Sequence, residues 1–200
     1  YVNLNGNWDF TVTQECTPPD HYDQTIVVPF CPESLLSGIH KHFSENSCLW
    51  YRRELVLPEG FCKGRVLLHI GAADQKLYCY VNQKEVGFHI GGYTARTFDI
   101  TDALQEKSLL AIIVDNAANE TVYPQMADFT FYGGLYRNVN LICVNNVHFD
   151  VETWGTPGIH VTPIVEGENA KVTVEAFVAN QGDAQIRYTI CDKEGNAVAT

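Results

Sequence analysis

Helical periodicity is almost absent from this chain. What recurs instead is a short run of alternating or continuously apolar residues, closed off by Gly, Pro, Asn or Asp. That pattern places strands at 8–13, 49–57, 65–70, 76–82, 95–100, 108–115, 137–144, 147–153, 171–179 and 184–191. Strands at this density, with no long helix between them, point to antiparallel sandwiches. The expected fold class is all-β. One short helical turn is expected in "DITDAL" at 99–104, with Thr101 as its N-cap.

Length decides how many sandwiches fit. The chain has 200 residues, of which 46% are hydrophobic and only 18% charged. That supports one full core and part of a second. A boundary is expected near Asn145-Asn146. Residues 1–145 hold enough strands for a jelly-roll sandwich. Residues 146–200 are about half of the ~100 residues that an immunoglobulin-like sandwich needs. The expectation is a jelly roll followed by an incomplete immunoglobulin-like β-sandwich, within something longer. Half a sandwich exposes sheet edges and an apolar face, which favours a homo-oligomer.

The net charge of −11 argues against nucleic acid as a partner, because an acidic surface repels phosphates. No apolar run approaches the ~20 residues that span a bilayer, so no membrane partner is expected. The opening "YVNLNGNWDF" lacks the basic start and apolar middle of a signal peptide. Bacterial cytoplasm and periplasm both stay open.

Seven cysteines are scattered, and an odd number cannot all pair within one chain. Cys79 lies in the alternating "KLYCYVN" and reads as a buried free thiol; most of the others are expected free as well. His40, His42 and Cys48 lack a fourth ligand at metal spacing and read as an ordinary loop. No phosphate loop, HExxH or Ser-His-Asp pattern appears, so no cofactor or metal is expected.

Five segments in order carry a resemblance. "LNGNWDF", then "VPFCPES" with "LWYRREL", then "VNQKEVGFHIGGYTARTFDITDAL", "DFTFYGGLYRNVNLI" and "GTPGIHVTP" resemble the N-terminal part of glycoside hydrolase family 2, which includes β-galactosidases and β-glucuronidases. The resemblance implies a jelly roll, an immunoglobulin-like domain and then a catalytic (β/α)8 barrel. A barrel needs roughly 250 residues, so it and its two glutamates fall outside this chain. The chain alone is therefore expected to be inactive. One departure is Asn82-Gln83, where the family often has Asn-Gly. Gln tolerates positive φ poorly, so a turn other than type I′ is expected there.

The resemblance also implies that Asp128 reaches into the barrel's mouth and contacts the sugar, making it the one substrate-binding residue expected here. Tyr93 and Tyr136 stand where glucuronidases tend to carry His, which tilts the reading toward a β-galactosidase. The residues themselves offer no catalytic pair. Asp99 and Asp102 sit in a capping turn, Asp20 and Asp23 in a solvated loop, and Glu33 could hold a loop through backbone N–H groups. Trp8, Trp50 and Trp154 could stack on sugars, but their strands favour packing. His89, Tyr93 and Arg96 surround Gly91-Gly92 as a strand–turn–strand. "NET" at 119–121 reads as a chance sequon. Two other readings remain: a free-standing carbohydrate-binding module, and a structural β-sandwich.

Overall fold

A computed structural model describes residues 1–14, 16–43, 46–117, 120–123, 127–153, 155–180 and 182–200. Twelve strands precede residue 145: β1 Val2–Asn3, β2 Gly6–Thr13, β3 Gln24–Val28, β4 Cys48–Leu55, β5 Arg65–Ile70, β6 Ala73–Asp74, β7 Lys76–Val81, β8 Lys84–Ile90, β9 Arg96–Asp99, β10 Ser108–Asp115, β11 Gly134–Leu135 and β12 Val139–Val144. They form a six-stranded antiparallel sheet in the order β3-β2-β4-β10-β7-β8 and a four-stranded sheet in the order β1-β12-β5-β9. The fold is all-β, as expected. Among the described residues, helical structure is confined to two 3-10 turns, Leu35–Ser37 and Thr101–Ala103.

The two sheets bury one another's inner faces. In β7, Leu77, Cys79 and Val81 point inward while Lys76, Tyr78 and Tyr80 remain half-exposed. In β10 the inward set is Leu110, Ile112 and Val114. Trp8, Phe10, Tyr51, Leu68 and Leu141 join them in one core, and each large apolar side chain so buried contributes about 1.5–3 kcal/mol. Trp8 and Trp50 are packing residues, as their strands implied. The Trp8 indole N–H donates to the Leu4 carbonyl at 2.8 Å and that of Trp50 to Thr13 Oγ1 at 2.9 Å.

Several expectations need correction. Asn82 and Gln83 both take positive φ, +51° and +68°, in a two-residue hairpin between β7 and β8. The type I′ geometry is held because the Asn82 side chain accepts the Leu109 N–H and donates to the Ala103 carbonyl and to Ser108 Oγ. Three tertiary bonds outweigh the local preference against Gln. The N-cap of the turn at 101–103 is Ile100, not Thr101, and the Asp99 carboxylate accepts the Thr101 amide at 2.9 Å. Third, four of the seven cysteines are paired, Cys16 with Cys48 and Cys62 with Cys143, at Cα separations of 5.3 and 5.4 Å, within the usual bridging range. Cys31, Cys79 and Cys191 are free, and Cys79 is buried as expected. Neither bridge was legible in spacing, because each joins residues brought together only by sheet pairing.

After residue 145 the described residues form three two-stranded ladders: β13 His148–Phe149 with β16 Val178–Ala179, β14 Ile159–Glu166 with β15 Asn169–Ala176, and β17 Ile190–Cys191 with β18 Ala197–Ala199. The strand expected at 147–153 stops at Phe149, because Asp150 turns its carboxylate onto the amides of Glu152 and Thr153. Val161, Ile164 and Val165 of β14 stand largely exposed.

The pairing predicts a count. Alkylation of the unfolded, unreduced protein followed by intact-mass measurement should add three labels, on Cys31, Cys79 and Cys191. Seven labels would remove both bridges.

Candidate functional site

At one end of the sandwich, two short strands bring distant glycine turns together. Gly134 of β11 pairs with Asp74 of β6, and Leu135 with Ala73. Leu135 is fully buried, and its N–H donates to the Tyr51 hydroxyl at 3.2 Å. Tyr51 is itself buried, and that burial pushes its hydroxyl well above the usual tyrosine range, so it stays a neutral partner. Gly134 has φ +75°, and a Cβ there would run into the Tyr51 hydroxyl, with Leu49 and Pro32 close by. Only glycine lets this backbone lie on that ring.

Glu33 holds the neighbouring residue. Its Oε1 accepts the Gly133 N–H at 3.4 Å and faces His42 Nδ1 at 3.3 Å. The expectation that Glu33 secures a loop through backbone amides is met, and the loop proves to be the one that follows Asp128. Its other oxygen is buried without a hydrogen-bond partner among the described residues. Asp74 is buried close by, and burial, with the Glu33 charge as a second cause, pushes its carboxyl up to about 6. Sequence reasoning missed Asp74. The signal was present in "IGAADQKLY", an acid directly after the largely apolar run 66–73.

The second wall is the turn at Gly91-Gly92. Gly92 lies against the Asp74 carboxylate, leaving no room for a Cβ. The Tyr136 hydroxyl donates to the Gly92 carbonyl, and Arg137 donates to the Tyr93 carbonyl at 3.3 Å. Between the walls opens a pocket of about 270 Å³, lined by Asp74, Tyr93, Tyr136, Arg137 and residues 129–132. Phe129 and Phe131 pack ring to ring at 5.1 Å, and Phe129 and Tyr132 stay half-exposed. Aromatic faces beside a carboxyl suit a sugar, whose C–H edges and hydroxyls need both.

Asp128 sits at the start of this aromatic segment. It is exposed, and no hydrogen bond to its side chain occurs among the described residues. The other expected residues lie elsewhere or are engaged. Asp99 and Asp102 both hold Arg65. Asp23 accepts from Thr11 Oγ1 at 2.8 Å, and Asp20 is exposed. His89 bonds Thr94 Oγ1; its burial lowers its pKa, with Arg96 as a lesser cause. His42 faces Glu33 and Cys48 is bridged, so His40, His42 and Cys48 do not converge. Cys16, Cys48 and Asp115 do lie within 4.8 Å of one another, but both sulfurs are bonded together and Asp115 holds Lys76 at 3.1 Å. Trp154 and Asn119 lie outside the described residues.

Comparison with known proteins adds a family. The model for the sugar binding domain of glycosyl hydrolases family 2 matches residues 1–145. A β-glucuronidase from Bacteroides fragilis is 28% identical over 197 residues, covering 96% of this chain and 28% of that protein. A β-galactosidase from Thermoanaerobacter pseudethanolicus is 28% identical over 208 residues, covering 97% and 27%. Among solved structures, an FMN-binding β-glucuronidase from Faecalibacterium prausnitzii superposes with a TM-score of 0.79 at 32% identity, over 98% of this chain and 31% of that one. A β-glucuronidase from Bacteroides uniformis does so at 0.71 and 31%, over 88% and 22%. The chain thus spans under a third of the length of these relatives.

Gly134→Ala tests the packing of the site. It adds both a positive-φ penalty and a clash with Tyr51, so about 2–4 kcal/mol of stability should be lost in chemical denaturation. Wild-type stability would show that the turn relaxes freely and holds nothing in place.

Proposed function

Because the chain belongs to glycosyl hydrolase family 2, we propose that it is the N-terminal, non-catalytic portion of an enzyme that removes a terminal β-linked sugar. On this reading residues 1–145 form a sugar-binding-like jelly roll and residues 146–200 begin an immunoglobulin-like domain. Hydrolysis belongs to a (β/α)8 barrel further along the same polypeptide, which is the chain's main partner besides the carbohydrate. Retaining hydrolysis needs two carboxyls about 5–5.5 Å apart on either side of the glycosidic bond, and the barrel supplies them.

The contribution of this chain is then Asp128. The observation that carries the reading is an exposed carboxylate placed just before a tightly held turn. The Gly133 amide is held by Glu33, the Leu135 amide by Tyr51, and Asp128 has no bond of its own among the described residues. A carboxylate accepts hydrogens only, so its role is to take the hydroxyls of the terminal sugar and orient the ring for the barrel. The structural work of Glu33 and Tyr51 leaves Asp128 free for that.

For the sugar, two readings carry an observation each. The solved relatives named above, both above 30% identity, are β-glucuronidases, which favours a β-glucuronide. The β-galactoside reading rests on Tyr93 and Tyr136 and on the galactosidase among the relatives. The Tyr136 hydroxyl is occupied by the Gly92 carbonyl, so that tyrosine braces the turns and offers little toward choosing a sugar. We place β-glucuronides first and β-galactosides second.

The test is Asp128→Asn in the full-length polypeptide, assayed on nitrophenyl β-glucuronide and β-galactoside. A charge-assisted hydrogen bond to a ligand is worth about 1.5–3 kcal/mol, and each ~1.4 kcal/mol is tenfold in rate. kcat/KM on the preferred substrate should fall roughly ten- to a hundredfold, with Tm unchanged within a few degrees. Wild-type kinetics would end the claim for Asp128.

A further inference from the structure

A second pocket lies on the far side of Tyr136 and Arg137, on the outer face of the four-stranded sheet. Its volume is about 480 Å³. Strand register explains its polarity. Asn140 of β12 pairs with His69 of β5, and His69 pairs with Thr97 of β9, so three polar residues form one row across the sheet. Asn138 and Arg137, just before β12, complete the rim, and Pro29 and the Tyr136 ring supply an apolar wall.

The hydrogen-bond accounting in this pocket is one-sided. Asn140 is 7% exposed, and its side-chain oxygen already accepts the Tyr1 hydroxyl at 2.8 Å. The Asn138 side-chain oxygen accepts from Asn5 Nδ2 at 2.9 Å. Each side-chain oxygen thus already takes one donor, while both amide NH2 groups remain without a partner among the described residues. Arg137 uses one N–H on the Tyr93 carbonyl and keeps the rest of its guanidinium. His69 meets Thr97 Oγ1 through Nδ1 at 2.9 Å. Among the described residues no acid lines the pocket, and Asp99, the acid on the same face of β9, is held by Arg65 at 2.6 Å. In a chain of net charge −11, a cavity that offers donors and a single fixed positive charge is chemically distinct.

We propose that this pocket binds a carboxylate, and that a carboxylated sugar is its free ligand. One guanidinium with two amides matches a planar monoanion. Burial lowers the pKa of His69 and so keeps it from supplying a second charge near neutrality; a phosphate dianion would remain under-compensated. The Tyr136 ring and Pro29 offer a sugar ring the apolar contact that acetate lacks. The site is separate from Asp128 and does not depend on the substrate proposed above. The same donors would also accept an Asp or Glu carboxylate from elsewhere in the longer polypeptide, which is the second source of this chemistry.

The experiment is a titration of the 15N-labelled 200-residue chain, at constant ionic strength, with glucuronate, acetate, inorganic phosphate and galactose. Glucuronate at millimolar concentration should shift the Asn138 and Asn140 side-chain amide signals saturably. Acetate should act more weakly, phosphate no better than acetate, and galactose not at all. Arg137→Gln, an exposed change, should weaken glucuronate at least tenfold, and Asn140→Asp should abolish its effect. Asp128→Asn should leave the titration intact, so this site and the substrate reading fail separately. If the full-length polypeptide shows these amides already displaced and unresponsive, the carboxylate comes from the polypeptide itself. Equal shifts by galactose and glucuronate, or none by any carboxylate, would overturn the proposal.

Discussion

The hydrogen bond from the Leu135 amide to the Tyr51 hydroxyl is the constraint on which the arrangement at this end of the molecule depends. Tyr51 is on β4, in the middle of the six-stranded sheet, with its ring edge-on to Phe10 at 5.1 Å. Nothing about that ring is adjustable. A backbone amide that reaches its hydroxyl is fixed against the core, and the residue before it must be glycine because the ring fills the space of a Cβ. From this anchor follow the β6–β11 pairing, the position of Asp74 and the approach of Gly133 to Glu33. The buried Glu33 oxygen, with no hydrogen-bond partner among the described residues, is a cost that a purely structural loop would not need.

Tyr136 and Arg137 then divide the surface into two regions of opposite chemistry. On one side lie Asp74 and the rings of Phe129, Phe131 and Tyr132, with the exposed Asp128 immediately before them in the chain. On the other lie Asn138, Asn140 and His69, a region of donors. Both side chains donate to backbone carbonyls of the Gly92-Tyr93 turn, so one brace sets both walls.

Much of the fold was legible in the sequence, and the failures have physical causes. The strands at 65–70 and 108–115 match β5 and β10 residue for residue, since both are apolar runs bounded by turn residues. β3 and β8 were missed because edge strands with a half-exposed pattern resemble loops. The Asn82-Gln83 turn was misjudged because its geometry is set by tertiary bonds from the Asn82 side chain, which no local propensity records. Asp128 and the glycine pairs stood out in sequence, whereas Asp74, Tyr51 and the row of Asn140, His69 and Thr97 did not. Their significance arises from register, and register across strands far apart in sequence is not written in any one segment.

The most direct measurement is hydrogen exchange on a Tyr51→Phe variant. Phe preserves the ring and its packing and removes only the acceptor, leaving the Leu135 amide buried and unpaired at a cost of about 1–3 kcal/mol. Exchange at Leu135 and at the described residues of the 127–134 segment should quicken by about tenfold or more. The amides of Leu68 and Ile112 in the core strands should keep their protection. Unchanged protection at Leu135 would mean that the Tyr51 hydroxyl does not anchor the turn, and the account of how Asp128 is presented would fail.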